Sequence, residues 1–213
     1  EHLVNHKDVD MIAFTGSRAV GLHIIEKAGH TGVGQRQVKK CVIEMGGKNA
    51  IIVDSDADLD EAIHGVINSA FGFQGQKCSA CSRVIVLEEN YDRFISRLIE
   101  TASSLKTLPS HDPSGFMGPV IDQEAFAKIT GMIENAKREA RLVFQGQVPD
   151  HGYFIPPTIF ADVDPTSAIA QQEIFGPVLA VIKAKNIEEA LIIANRTEYG
   201  LTGGLYSRSP ANI

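Results

Sequence analysis

Along the chain, short apolar runs alternate with stretches in which apolar residues recur every three or four positions. Met11–Thr15 is apolar and bounded by Gly16, which predicts a buried strand. From Arg18 to Ala28 the apolar residues Val20, Ile24, Ile25 and Ala28 share one helical face. Val42-Ile43 and Ala50–Val53 predict strands on either side of a turn at Gly46-Gly47. The run Asp54-Ser55-Asp56-Ala57-Asp58 then offers capping oxygens and first-turn negative charge to a helix that carries Leu59, Ile63, Val66, Ile67 and Ala70 inward. Arg83–Leu87 is β-branched and predicts a strand, followed by helical periodicity over Tyr91 to Leu105 and Glu124 to Ala136. Leu142–Phe144, Ile159-Phe160, Val178–Ile182 and Gly204–Tyr206 complete the strands, with a capping box at Asn186–Glu189 opening a helix through Asn195.

Strand and helix in this alternation predict an α/β layered fold with a mainly parallel sheet. The 213 residues, with hydrophobic residues at 44% and charged residues at 22%, are ordinary globular material for one to two domains. No apolar run approaches the ~20 residues of a spanning helix, so no membrane role is expected. The formal charge of −6 repels phosphate backbones, and nucleic acid is not an expected partner. Three cysteines, Cys41, Cys78 and Cys81, point to reduced thiols and a cytoplasmic setting. The chain opens on Glu1 and closes at Ser209-Pro210-Ala211-Asn212-Ile213 without a polar tail, and reads as a piece of a longer protein.

Four segments carry candidate chemistry. Phe14-Thr15-Gly16-Ser17, with Gly21 behind it, delivers a glycine and a hydroxyl into a helix start, where free N–H groups suit an anion or where glycine serves the turn alone. Glu44-Met45-Gly46-Gly47-Lys48 sets a carboxylate before a sharp turn; a surface ion pair of Glu44 with Lys48 is the plain alternative. Gly75-Gln76-Lys77-Cys78 follows a glycine-bearing stretch and precedes a strand, a position that exposes a thiol as a nucleophile for carbonyl carbon. The spacing Cys78-x-x-Cys81 also admits a redox pair, but the motif runs into β-branched Val84-Ile85-Val86 and Cys81 reads better as a small buried hydrophobe; the scattered histidines give no second ligand pair and no metal site is expected. Glu173-Ile174-Phe175-Gly176-Pro177 joins a carboxylate and an aromatic ring to a Gly-Pro turn, with a loop carboxylate beside a core phenylalanine as the alternative.

In their order and spacing these segments resemble the aldehyde dehydrogenase superfamily over nearly the whole chain. The stretches Gly34–Lys40 and Gly75–Arg83 are most similar to its bacterial 1-pyrroline-5-carboxylate (glutamate-semialdehyde) dehydrogenase branch. The resemblance implies a three-layer catalytic domain over residues 48–213 and a short remnant of an NAD-binding domain over residues 1–47. It implies Cys78 as the nucleophile, Glu44 as the general base, and Glu173 and Phe175 at the nicotinamide ribose. Gly16, Ser17 and Gly21 would lie at the cofactor pyrophosphate, and Ser79 at the substrate carboxylate. NAD is the implied cofactor, a small aldehyde the substrate, and a homo-oligomer the form of the parent protein. The resemblance also implies further cofactor-domain residues upstream and a substrate-anchoring loop downstream, so that these 213 residues alone are expected to be inactive. Two other readings stand beside it: a dehydrogenase for another small aldehyde, and a non-catalytic thiol module built on Cys78 and Cys81.

Overall fold

The computed structural model describes residues 1–213 and divides into two compact units, Glu1–Gly46 and Gly47–Ile213. The first unit comprises α1 (His2–Asn5), β1 (Met11–Thr15), α2 (Arg18–Ala28) and β2 (Lys40–Glu44). Its strands pair in parallel, from Met11 opposite Lys40 to Thr15 opposite Glu44. Helix α2 starts where Ser17 Oγ accepts the Val20 N–H at 3.4 Å. It lies close on β2 because residue 21 has no side chain; a Cβ there would stand 2.8 Å from Ile43 Cγ2.

The sequence pattern predicts a fully buried β1, and here the structure differs. Burial alternates along both strands, leaving Met11, Ala13 and Thr15 and their partners Lys40, Val42 and Glu44 exposed on one sheet face. The physical reason is that a two-stranded sheet with one long helix has cover for a single face, whereas parallel sheets usually have both faces covered.

The second unit is a six-stranded sheet in the order β5-β6-β7-β4-β3-β8, with β3 (Ala50–Val53), β4 (Arg83–Leu87), β5 (Arg141–Gln145), β6 (Thr158–Ala161), β7 (Val178–Ala184) and β8 (Gly203–Tyr206). Every neighbouring pair is parallel except β5 with β6. Two helices, α3 (Leu59–Phe71) and α4 (Tyr91–Ser103), build one core with Ile63, Val66, Phe71, Phe94 and Leu98 against Val84, Val86 and Val181. Helices α5 (Gln123–Ala136) and α7 (Ile187–Asn195) build the other with Ile129, Ile133 and Ile193 against Ile85, Leu87 and Ile182. Strand β4 is buried throughout because its side chains alternate between these two cores. Each such fully buried aliphatic or aromatic side chain stabilises the fold by roughly 1.5–3 kcal/mol. The chain is thus an α/β protein whose larger unit has three layers, helices on both faces of a mainly parallel sheet.

Helix starts follow the local chemistry. Of the acidic run before α3 it is Asp58 that caps, accepting from Asp60 N at 3.0 Å and Glu61 N at 3.4 Å. Asp54 instead accepts from Ser207 Oγ and Asn212 Nδ2, each at 2.7 Å, and these bonds hold its carboxyl below the usual range against the opposing effect of burial. At α7, Asn186 caps as expected by accepting from Glu189 N, but the Glu189 carboxylate reaches back to the Lys185 N–H, one residue before the cap. Three short elements have no counterpart in the periodicity: α1, a 3₁₀ turn at Gly72–Gly75, and α6 (Ala168–Gln171). No helix is long and apolar enough to cross a membrane.

Candidate active site

Four loops enter neighbouring parallel strands of the larger unit from the same end. Gly47-Lys48-Asn49 runs into β3, Cys78–Ser82 into β4, Glu173–Pro177 into β7 and Gly200–Thr202 into β8. Because β8, β3, β4 and β7 are adjacent and parallel, these loops must lie side by side at the amino end of the sheet. A narrow crevice of about 20 Å³ is lined by Gly47, Gly75, Lys77, Glu173 and Phe175, which belong to three of the four segments singled out above.

The thiol loop is mounted from several sides. After α3 the chain passes through three successive left-handed residues, Phe73 (φ 55°), Gln74 (φ 58°) and Gly75 (φ 66°). For Phe73 and Gln74 this conformation costs about 1–3 kcal/mol each. It is offset by Gln74 Nε2 donating to Pro119 O and the Ile121 N–H donating to Gln76 Oε1, both at 3.1 Å. Gly75 has no room for a side chain, because a Cβ would press into the Gly176 carbonyl. The Ala80 N–H then donates to Lys77 O at 3.1 Å, closing a turn whose two central residues are Cys78 and Ser79, both exposed. Below the turn, Asn49 Nδ2 donates to Cys78 O at 2.7 Å and Ala80 O at 3.0 Å, and Ser69 Oγ accepts the Cys81 N–H. The exposed, turn-mounted sulfur of Cys78 is open to an electrophile.

Cys81 faces the opposite environment. Its thiol is buried and donates to Arg83 O at 3.2 Å, and burial pushes it up to about 12. A resolving thiol must ionise and meet solvent to exchange, so this placement does not suit the redox-pair reading and agrees with Cys81 as a small core residue.

On the facing loop, Glu173 is half-buried and its Oε1 accepts the Gly47 N–H at 3.1 Å, leaving Oε2 available. Phe175 is left-handed (φ 59°) and 39% exposed, so its ring is not a core residue, while Ile174 on one side is buried and Gly176 on the other is packed against the Ile129 side chain. A half-buried carboxylate with one free oxygen beside an exposed ring fits the sugar hydroxyls and flat surface of a nucleotide. Lys48 is 2% exposed and its Nζ has no hydrogen-bond partner. Burial first, then the nearby Arg83 cation, pushes Lys48 down to about 7, against the attraction of Glu173. Arg83 donates to the carbonyls of Lys48, Ile193 and Ala194; burial lowers it to about 10, which leaves it protonated.

In the smaller unit, Gly16 and Glu44 sit at the carboxyl ends of the two parallel strands, and the Gly16 N–H donates to the Glu44 carbonyl at 3.0 Å. Ser17 and the Glu44 side chain are exposed there, and Gly21 lies one turn into α2. The carboxyl ends of parallel strands, with a helix N-terminus between them, are where α/β folds present open N–H groups to anions. The two units therefore divide the expected site residues: Gly16, Ser17, Gly21 and Glu44 in one, Cys78, Ser79, Glu173 and Phe175 in the other. Asn49 and Gln74 were not singled out from the sequence, and Gln76 and Lys48 entered only as members of their segments; Lys48, expected at the surface in the ion-pair alternative, is instead buried. A cavity of about 640 Å³ among Ser103–Leu108 and Phe144–Pro149 is lined by none of these residues. No group of three or more His, Cys, Asp or Glu side chains is arranged to hold a metal ion.

The sequence pattern of the aldehyde dehydrogenase family matches residues 1–213, and the chain belongs to that family. Among the relatives it resembles, 1-pyrroline-5-carboxylate dehydrogenase of Geobacillus sp. (strain WCH70) is 52% identical over all of this chain and 42% of the relative. The chain thus spans about two fifths of that protein's length. Among solved structures, proline utilization A from Bdellovibrio bacteriovorus superposes with a TM-score of 0.98 at 61% identity, over 99% of this chain and 22% of that one. A Thermus 1-pyrroline-5-carboxylate dehydrogenase solved with bound NAD gives a TM-score of 0.96 at 47% identity, over 99% of this chain and 41% of its own.

Proposed function

We propose that the full-length protein is an NAD-dependent dehydrogenase that oxidises glutamate γ-semialdehyde to glutamate, with residues 48–213 as its catalytic portion and residues 1–47 as part of its cofactor domain. The observation that supports this most is the exposed Cys78 turn beside the crevice of Glu173 and Phe175. The identity of about 50% to 1-pyrroline-5-carboxylate dehydrogenases favours this substrate over other small aldehydes.

In this reading the Cys78 thiolate forms a C–S bond with the aldehyde carbon, and the carbonyl electron pair moves to oxygen as an oxyanion held by backbone N–H donors of the turn. NAD, when bound, would supply the acceptor for the hydride lost from this adduct, which would leave a thioester on Cys78. Glu44 takes a proton from water, the hydroxide equivalent adds to the thioester carbon, and the C–S bond breaks to return the thiolate and free carboxylate. Glu173 holds ribose hydroxyls through its available oxygen and Phe175 packs on the same part of the nucleotide. Gly16 and Ser17 present N–H groups to the pyrophosphate, Gly21 permits the close helix approach, and Ser79 meets the substrate carboxylate. The three unpaired thiols support a cytoplasmic protein, and the family resemblance supports a homo-oligomer.

NADH formation by the full-length enzyme tests the reading. Cys78→Ala is expected to abolish turnover, and Glu44→Gln to give a burst of NADH followed by a slow steady state as thioester accumulates. Wild-type turnover in Cys78→Ala refutes the nucleophile; a normal steady state in Glu44→Gln removes Glu44 from the mechanism.

A further inference from the structure

Asn49 is 5% exposed and stands immediately before β3, in contact with the nucleophile's own peptide. Its two amide hydrogens go to two carbonyls of one turn, Cys78 O and Ala80 O, while Oδ1 accepts the Thr202 N–H at 3.0 Å. Its backbone carbonyl accepts from Ser82 N and Arg83 N, fixing the other end of the same loop. The carboxamide is packed on Gly47, where a Cβ would stand 2.9 Å from Nδ2, so a side chain at 47 would displace it. Gln74 and Gln76 anchor the approach to the turn, but of the three carboxamides only Asn49 bonds Cys78 itself.

We propose that Asn49 is the positioning residue of the nucleophile: it pins the Cys78–Ser79 peptide and thereby fixes the direction in which the thiol is presented. The inference rests on the catalytic role of Cys78 proposed above. The peptide is trans and planar, so a carbonyl drawn inward onto Nδ2 turns the Ser79 N–H outward, on the side opposite Asn49. Without the donor, the Cys78 carbonyl loses its only side-chain partner and the turn itself keeps just its Lys77–Ala80 bond, while the remaining anchors, at Gln74, Gln76, Cys81 and Ser82, lie on either side of Cys78 and Ser79.

Asn49→Asp separates this role from a purely structural one. Aspartate keeps the volume and the acceptor for Thr202, but replaces the donor by an oxygen facing two carbonyls. A carboxyl so placed is pushed up, and once protonated it donates again. In the full-length enzyme, Asn49→Asp is expected to lower kcat by roughly 100-fold, the loss associated with misplacing a reacting group by about 1 Å. KM for NAD should stay within about 2-fold. The kcat ratio of variant to wild type should rise as pH falls. Asn49→Ser, with one donor, should lose less and show no such rise. A ratio independent of pH in Asn49→Asp, or kcat and KM changing together with the melting temperature, overturns the proposal. If Asn49→Asp does not fold, Asn49→Ser carries the test, and unchanged kcat in that variant overturns it. The Cys78→Ala control keeps the two ideas apart: turnover there defeats the nucleophile, whereas wild-type turnover in the Asn49 variants alone defeats the positioning role.

Discussion

Replacing Lys48 by methionine should stabilise the fold at neutral pH. An ammonium group that is 2% exposed and lacks a hydrogen-bond partner is an uncompensated buried charge, and methionine fills a similar volume without one. Burial lowers Lys48 from 10.5 to about 7. In the unfolded chain the amine keeps its ordinary affinity for protons. Below about pH 7 both states are charged and the fold carries the full desolvation penalty. As pH rises from there to 10.5, the native state gives up its proton while the unfolded state keeps it, so stability increases at up to about 1.4 kcal/mol per pH unit. Over that window the gain approaches about 5 kcal/mol, an upper bound because water penetration and relaxation reduce such penalties. Lys48→Met should therefore raise unfolding free energy by about 1–4 kcal/mol near pH 6, and the difference from wild type should vanish toward pH 10. Urea unfolding followed by circular dichroism at fixed ionic strength, on both proteins across that range, makes the comparison. Other titrating groups cancel in the difference. A difference that is flat with pH, or a methionine variant that is less stable near pH 6, would mean that the ammonium is compensated and refute the reasoning.

Gly75→Ala should destabilise the larger unit by at least about 2 kcal/mol, since φ is +66° and the new Cβ meets the Gly176 carbonyl; an unchanged urea midpoint would contradict the close approach. Asp58→Ala should cost about 1 kcal/mol through loss of the α3 cap, while Asp58→Asn, which keeps the acceptor, should cost little. Equal losses in the two variants would move the effect to the exposed ion pair with Arg208 instead.

The parts of the fold with strong periodicity were readable residue by residue. Helix α2 and strand β4 occupy the spans expected of them, because a helical stripe and a β-branched run are each local facts about the chain. Burial of β1 was not readable, since whether Met11 and Ala13 are covered depends on what else packs on that sheet face. Phe73 and Gln74 gave no sign of left-handed backbone: neither residue type favours it, and the stretch is anchored through the Gln74 and Gln76 side chains to backbone groups of Pro119 and Ile121, some 45 positions away in the chain. Arg83 was readable as the first residue of a strand but not as the cation that gathers carbonyls from Lys48 and from the end of α7, 110 positions later.

The candidate site shows the same division. Three of its four loops lie in or against segments identifiable by residue type, whereas Gly200–Thr202 carried no such signal, and the convergence of all four comes from strand order. Gly47–Asn49, Cys78–Ser82, Glu173–Pro177 and Gly200–Thr202 meet because β3, β4, β7 and β8 are adjacent and run the same way; one antiparallel strand among them would carry its loop to the far end of the sheet. Strand order is a property of long-range packing that no local pattern encodes. It also explains why Asn49 escapes a reading by motif. It stands immediately before β3, the strand between β4 and β8; its side chain bonds both the Cys78 turn and the entry to β8, and only the assembled sheet creates that position.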